Sequence, residues 1–508
     1  YATLNAVDHN GGTLSNGNLK ITTTGASNVS GTIGMPSGKY YWEVTIDREN
    51  GGVIGIGAGS AMDGTALTDL TKIYGYSPNG QKYENGTGSS YGATYTAGDV
   101  ISVKFDAGTS QLEFLKNYSS QGVAFTVDSE FVYFPQLHLN NTDVTVNFGQ
   151  RRFKYPMPSG YAALNTTALP AATIEDGSKY FDTVLYTGTG AAKTISGLNL
   201  SPDMAWIKER NGTSWHRIID VVRGQKEVFT NATNAESSFS QGLNSFNSDG
   251  FTLGTGSDSN VNTNNNTYVG WLWDAGSSTV SNTDGTITSS VRANTTAGFS
   301  IVSYTGTGAN ATVGHGLNAA PGMIIIKNRD RNLNNDDWRV WHSSLAANER
   351  LVLNATKAKG SAATLWQNTL PTSTKFYLDS DNRYNYNGDN HIAYCFAPVA
   401  GFSAMGSVDT NGTTDNAFIY LGFRAKFIMF KRTDSTGNWT MWDTSRNTFN
   451  VMNKYLFANT AGAEGTDSQF DILSNGIKIR TTGFASGATF IYYAVAENPF
   501  QANGGLAR

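Results

Sequence analysis

Over the first 160 or so residues apolar side chains recur at every second position in short runs. KYYWEVTI (from Lys39), GVIGIGAG (Gly52), DVISVKFD (Asp99), QLEFLKN (Gln111), YFPQLHL (Tyr133) and DVTVNFG (Asp143) each predict a half-buried antiparallel strand. In the first, Trp42, Val44 and Ile46 share one face and leave Glu43 and Thr45 on the other, so register decides what is buried.

Further on, one pattern is written three times. It reads PDMAWIKERNGTSWHRIIDVVRG from Pro202, PGMIIIKNRDRNLNNDDWRVWHSSL from Pro321 and AKFIMFKRTDSTGNWTMWDTSRN from Ala425. Each copy is an apolar strand ending in lysine (Lys208, Lys327, Lys431), a polar excursion, and an aromatic strand closing on Asp220, His342 or Asp443. A YTGTG turn precedes the first two copies (Tyr186 to Gly190, Tyr304 to Gly308), and NATNAE, NATKAK and NTAGAE (Asn231, Asn354, Asn459) follow all three. Later come the closing strands TYVGWLWDAG (Thr267), HIAYCFAP (His391) and TFIYYAVAENPF (Thr489). The lysines are spaced by roughly a hundred residues, too far apart for solenoid units and right for duplicated domains. A position that drifts from Asp to His to Asp fits a scaffold copied for its geometry rather than for a reaction.

The expected fold is all-β, a series of tandem β-sandwich domains. Their boundaries are 1–161, three repeats at 178–277, 298–400 and 401–500, and a tail at 501–508. The stretch SSTVSNTDGTITSSVRANTTAG, ahead of the second repeat, reads as a low-complexity polar linker, as does the segment from about Ala162 to Gly177. The best helical candidate is SSLAANERLVLNAT from Ser343, whose tail could equally be a strand. With 56 glycines, 11 prolines and only 15% charged residues, the composition is that of short strands joined by turns.

A net charge of −4 and no basic run longer than Arg151–Arg152 disfavour nucleic acid. The single cysteine, Cys395, excludes an internal disulfide framework and reads as a core thiol. No apolar run is long enough for a membrane-spanning helix. The chain opens on Tyr1, which is expected of the ordered portion of something longer.

Two resemblances arise from these segments. GKYYWEV, GIG, the turn YGYSPNGQKYENG from Tyr74, GDVISVKFD with LEFLKN, and YFPQLHL through VNFGQRRFKYPMPSGY together resemble the SPRY domain. That resemblance implies a concanavalin-like sandwich that binds partners through its loops and has no catalytic activity. A SPRY unit followed by YTGTG…SPDMAWIK, NSDGFTLG and a terminal AENPF resembles virion proteins of tailed, marine-type bacteriophages. This second resemblance implies a virion structural protein, a tail fibre or other appendage recognising the host cell surface, with a glycan or receptor and other virion proteins as partners. It also implies a homotrimer. The alternatives are a capsid or tail decoration with no receptor, and a surface-polysaccharide depolymerase.

Candidate chemistry is sparse. One GxSxG match, Gly88 to Gly92, lies in a glycine-rich loop and lacks the strand–helix context of a nucleophile elbow. The six histidines are scattered, and His342 reads as a strand-end hydrogen-bonding group. Asp379, Asp381 and Asp389 lack calcium-loop spacing and read as a polar loop, so neither metal nor cofactor is expected. The D-x-x-R pairs Asp220/Arg223 and Asp443/Arg446 read as charge-assisted clamps on a turn. Trp271 and Trp273 share a core face, whereas Trp338/Trp341 and Trp439/Trp442 should split between faces. The residues expected to be exposed and to bind ligand are Tyr83 and Tyr91 in the SPRY loops, with Tyr384, Tyr386, Asn387 and Asp389 in RYNYNGDN. Aromatic planes beside amides and carboxylates are the means by which proteins stack and hydrogen-bond sugars.

Overall fold

The computed structural model describes residues 1–58, 72–238, 241–255, 261–332 and 337–499; the 501–508 tail lies outside them. The chain is all-β: the one α-helix among the described residues is the single turn Asn382–Asn385. Two compact units are present. The first comprises residues 1–171 with 417–422 and 475–478; the second holds the rest.

In the first unit the six predicted strands are found at Lys39–Arg48, Gly52–Ala58, Val100–Asp106, Gln111–Lys116, Tyr133–Asn140 and Asp143–Asn147. They fall into two antiparallel sheets of a sandwich. Trp42, Val44 and Ile46 are buried as register requires, but so is Glu43. Its carboxylate accepts the backbone N–H groups of Lys154 and Tyr155 (2.8 and 2.9 Å) and the Tyr41 hydroxyl (3.0 Å). The face expected to be polar is covered by the returning chain, and the carboxylate there is fully hydrogen-bonded. The GxSxG match lies on an exposed edge strand, Thr87–Ser90.

The first two repeats lie in the second unit, as does the third apart from residues 417–422 and 475–478. Each is built on one antiparallel sheet in which the closing strand pairs with both the opening strand and the lysine strand. The lysine strand then pairs with the Asp/His strand. In the second repeat the supposed linker is part of this sheet, as strands Thr279–Asn282 and Ser289–Asn294. Ile287, Ser289 and Val291 alternate inward. Ser289 hides the pattern because its hydroxyl is satisfied internally by the Gly314 carbonyl (2.9 Å). The helical candidate at Ser343 is a turn followed by strand Glu349–Val352.

One sheet face packs on the repeat's own second layer. In the second repeat this core contains Ile324, Ile326, Trp341, Ala393 and Cys395 with Phe376 and Leu378. In the first it contains Ala205, Ile207, Ile219 and Leu272 with Phe251 and Leu253. The opposite face is buried too, because the repeats close on one another. The Asp220 carboxylate accepts the Tyr394 hydroxyl of the second repeat (2.8 Å). His342 donates to the Tyr492 carbonyl of the third (3.1 Å), and Asp443 accepts the Trp271 indole N–H of the first (3.1 Å). The backbone repeats the cycle, Glu236 to Arg329, Lys359 to Thr433 and Glu464 to Arg210 (2.7, 2.9 and 2.7 Å). One chain thus forms a closed ring of three. At its centre Phe427, Trp273, Phe396 and Tyr493 meet in sequence with centroids 5.0–6.2 Å apart. Burial on both faces explains why Trp338, Trp341, Trp439 and Trp442 are all buried although alternation splits each pair.

Candidate functional site

The YTGTG turn is structural. Gly190 and Gly308 adopt positive φ (+69° and +68°), and a Cβ at Gly188 or Gly306 would sit 2.2 or 2.3 Å from a backbone oxygen of the facing loop. The turn wraps a buried amide. Asn262 accepts from Thr189 N (2.9 Å) and donates to Ala191 O (2.6 Å); Asn385 does the same with Thr307 and Ala309 (2.8 and 2.6 Å).

That arrangement corrects the expectation for Tyr384. It is fully buried, stacked on Trp366 at 4.6 Å, with its hydroxyl donating to Asp379 (2.6 Å), so it is core and not a displayed aromatic. Tyr386 is half-buried under the Arg331 guanidinium (3.8 Å to the ring centroid). Asn387 is exposed, and Asp389 accepts from the Asn328 amide (2.9 Å). Asp379, Asp381 and Asp389 serve separate partners: Asp381 caps Arg383 N (3.0 Å). Among the described residues no group of three His, Cys, Asp or Glu side chains is placed to hold a metal. In the first unit Tyr91 donates to the Gly122 carbonyl and accepts from Phe114 N (3.3 Å). Tyr83 bonds Gln81 (3.1 Å) and packs over Gly88. Neither ring stands free.

What sequence reasoning missed lies at the rim of the ring, on the two strands that follow the lysine strand. Pairing registers align Arg217, Arg339 and Thr440 on the first of these. They align Phe229, Val352 and Phe457 on the next, which places Glu227, Arg350 and Tyr455 two residues earlier. In the first repeat Arg217 and Glu227 form a buried ion pair, and Trp215 packs on Phe229 (5.3 Å). The second repeat has a depression of about 360 Å³ here, lined by Arg339, Arg350, Lys357 and Arg383.

The third has one of about 260 Å³, lined in part by Asn438, Thr440, Trp442, Tyr455, Gln469 and Phe490. The Tyr455 ring lies over Gly465, where a Cβ would be 2.4 Å from it, and packs on Phe457 (4.9 Å). Trp442 presents an indole N–H that is buried without a partner, and Gln469 donates to the exposed Asp467 carboxylate (2.6 Å). A half-buried aromatic plane beside amides and a carboxylate can stack on a flat polar group and hydrogen-bond it. The signal was available in the aligned segments KEVF, ERLV and KYLF (from Lys226, Glu349 and Lys454), whose second position changes character completely between copies.

Comparison with known proteins agrees with this division. Residues 39–151 match the SPRY domain model, so the first unit contains a SPRY sandwich. Over 137 residues the chain is 30% identical to the ATP-dependent RNA helicase DDX1 of Xenopus laevis, covering 26% of this chain and 18% of the helicase. Over 127 residues it is 28% identical to the Drosophila melanogaster protein of that name, covering 24% and 17%. The chain therefore spans under a fifth of the length of these curated relatives. Among solved structures, the SPRY domain of human HERC1 is 22% identical, covers 29% of this chain and 99% of its own, and gives a TM-score of 0.26. Residues 176–499, which hold the ring, match the model described as "Domain of unknown function (DUF7483)", and the chain belongs to that family.

Proposed function

We propose that this protein is a non-enzymatic recognition protein of a phage virion, a tail fibre or related appendage, that binds a host cell-surface glycan in the rim pocket of its third repeat. The observation that carries the reading is that pocket: a half-buried Tyr455 ring beside Asn438 and Gln469, with the Trp442 indole N–H left unpaired. The virion assignment rests on the sequence resemblance to phage structural proteins. The ring supports a scaffold role, since its inward bonds are made within one chain. The homotrimer expected from the resemblance would use other surfaces.

The test is binding of the labelled protein to host cells and to mutants lacking surface glycan, with Tyr455→Ala and Gln469→Ala alongside. Saturable binding that is lost on the mutants and weakened about tenfold by Tyr455→Ala, the effect of removing one well-placed anchor, is the expected result. Binding indifferent to both the glycan and Tyr455 would overturn the reading. No binding by folded protein would favour a decoration protein, and released oligosaccharide a depolymerase.

A further inference from the structure

The rim of the second repeat differs from its two counterparts in charge, and this difference carries a separate site. In the first repeat the buried Arg217 guanidinium faces the Glu227 carboxylate. In the second, the equivalent pair is Arg339 and Arg350, so the carboxylate has been replaced by a second guanidinium. Arg339 is 1% exposed; its nearest carboxylate oxygen, on Asp337, is 3.6 Å from Nη1 and already accepts from the Asn354 amide through the other oxygen (3.0 Å). The Nε groups of both Arg339 and Arg350 are buried without a hydrogen-bond partner. Arg383 and Lys357 complete the lining, and Arg383 is itself engaged by Asp381 (3.2 Å). Four cations therefore face two carboxylates around an open depression of about 360 Å³.

A buried guanidinium lacking a partner is costly, and removing the partner of a buried pair is one of the more destabilising changes a protein can suffer. Arg339 is pushed down to about 10, first by burial and then by the Arg383 charge, which the Asp381 and Asp337 carboxylates do not offset. Arginine forks are matched to oxyanions, which take two parallel N–H donors from one guanidinium.

We propose that this pocket is an oxyanion site, in which a sulfate, phosphate or carboxylate group bound between Arg339 and Arg350 takes the place that the Glu227 carboxylate fills in the first repeat. The site does not depend on the glycan reading of the third repeat. An acidic group on a surface polymer and a free inorganic anion would present the same chemistry.

The experiment is calorimetric titration of the whole protein with inorganic sulfate and phosphate at fixed ionic strength, against chloride. Glucuronate and glucose 6-sulfate, as separate arms, distinguish a sugar-borne anion from a free one. The decisive variant is Arg350→Glu, which rebuilds the pair of the first repeat. It should abolish binding and raise the melting temperature measured without anion. Arg350→Gln and Lys357→Ala should each weaken binding several-fold, and Gln serves should Glu not fold. Absence of saturable anion binding by the wild type would overturn the proposal, as would unchanged binding in both Arg350 variants.

Discussion

Asp220, His342 and Asp443 differ in chemistry and do the same work, whereas Glu227, Arg350 and Tyr455, one strand further out, differ in chemistry and make three different surfaces. At the first set each side chain caps its own turn with one atom: Asp220 accepts from Val222 N (3.0 Å), His342 from Ser344 N (3.1 Å) and Asp443 from Arg446 N (2.8 Å). With another atom it reaches the next repeat. Around the two aspartates, Arg223 and Arg446 are fully buried and bridge to Glu236 and Glu464, which grip Arg329 and Arg210 of the neighbouring repeat. At the histidine junction Leu345, Lys359 and Thr433 stand in those places, so the charges have been exchanged together. The rim is under no such closure requirement. Substitution there leaves the ring intact, and that is where a duplicated scaffold can acquire separate binding surfaces.

The sharpest way to break this comparison is Asp220→Ala. It leaves the buried Arg223 with only its longer contact to Glu236 (3.3 Å), leaves the Tyr394 hydroxyl without its acceptor, and weakens the first-to-second junction. Loss of a buried pair on this scale costs about 3–5 kcal/mol. Because the ring is closed, urea unfolding followed by tryptophan fluorescence should show the whole second unit melting earlier in one transition. A loss under about 1 kcal/mol would mean that the junction is not what holds the repeats.

A second comparison lies within the RYNYNGDN loop. Tyr384→Ala empties a site stacked on Trp366 and should cost about 3 kcal/mol, as for other buried aromatics, while Tyr386→Ala should stay within about 0.5 kcal/mol. Equal effects in a denaturant titration would contradict the burial assigned to Tyr384. This position also shows how far the sequence could be read. Strand positions, the SPRY sandwich and the three copies were legible because period-two alternation survives in all of them. Tyr384 was misread because a tyrosine among asparagines looks like a surface residue. Aligned on the buried Asn262 and Asn385, however, its counterpart is Val261, also fully buried, and an apolar residue there was the available clue. The double-sided burial of Trp338 and Trp439 was not legible. Their indole N–H groups donate to backbone carbonyls of the preceding repeat, Phe229 and Val352 (both 2.8 Å), and that contact exists only once the ring closes. The rim pockets escaped notice for a different reason: each is lined within one repeat, and the changing second position of KEVF, ERLV and KYLF stands out only when the three copies are aligned.

The histidine junction should also respond to pH in its own window. Burial pushes His342 down to about 4, and the neutral ring fits its two bonds, donating from Nε2 and accepting at Nδ1. Unfolded, the imidazole titrates near its ordinary value of about 6.5. The unfolded chain thus binds the extra proton first, and the contribution of His342 is complete above pH 6.5 and lost as pH falls toward 4, by at most about 1.4 kcal/mol per unit crossed. Glu236, at the first-to-second junction, behaves differently. Burial alone would raise it, but hydrogen bonds from Arg329 and Lys226 bring it down to about 2. Its contribution therefore holds above 4.5 and fails only below that. Buried His216 and His391 are also depressed by desolvation and add to acid sensitivity, so wild type alone cannot isolate His342. His342→Asn keeps a neutral hydrogen-bonding side chain and removes the titration. The stability gap between the two proteins, measured from urea midpoints, should narrow as pH falls from 6.5 to 4 and be flat from 6.5 to 7.5. A gap constant across the acid window would assign the titration to other groups and leave His342 a neutral spacer, as interchangeable with aspartate as the other two copies imply.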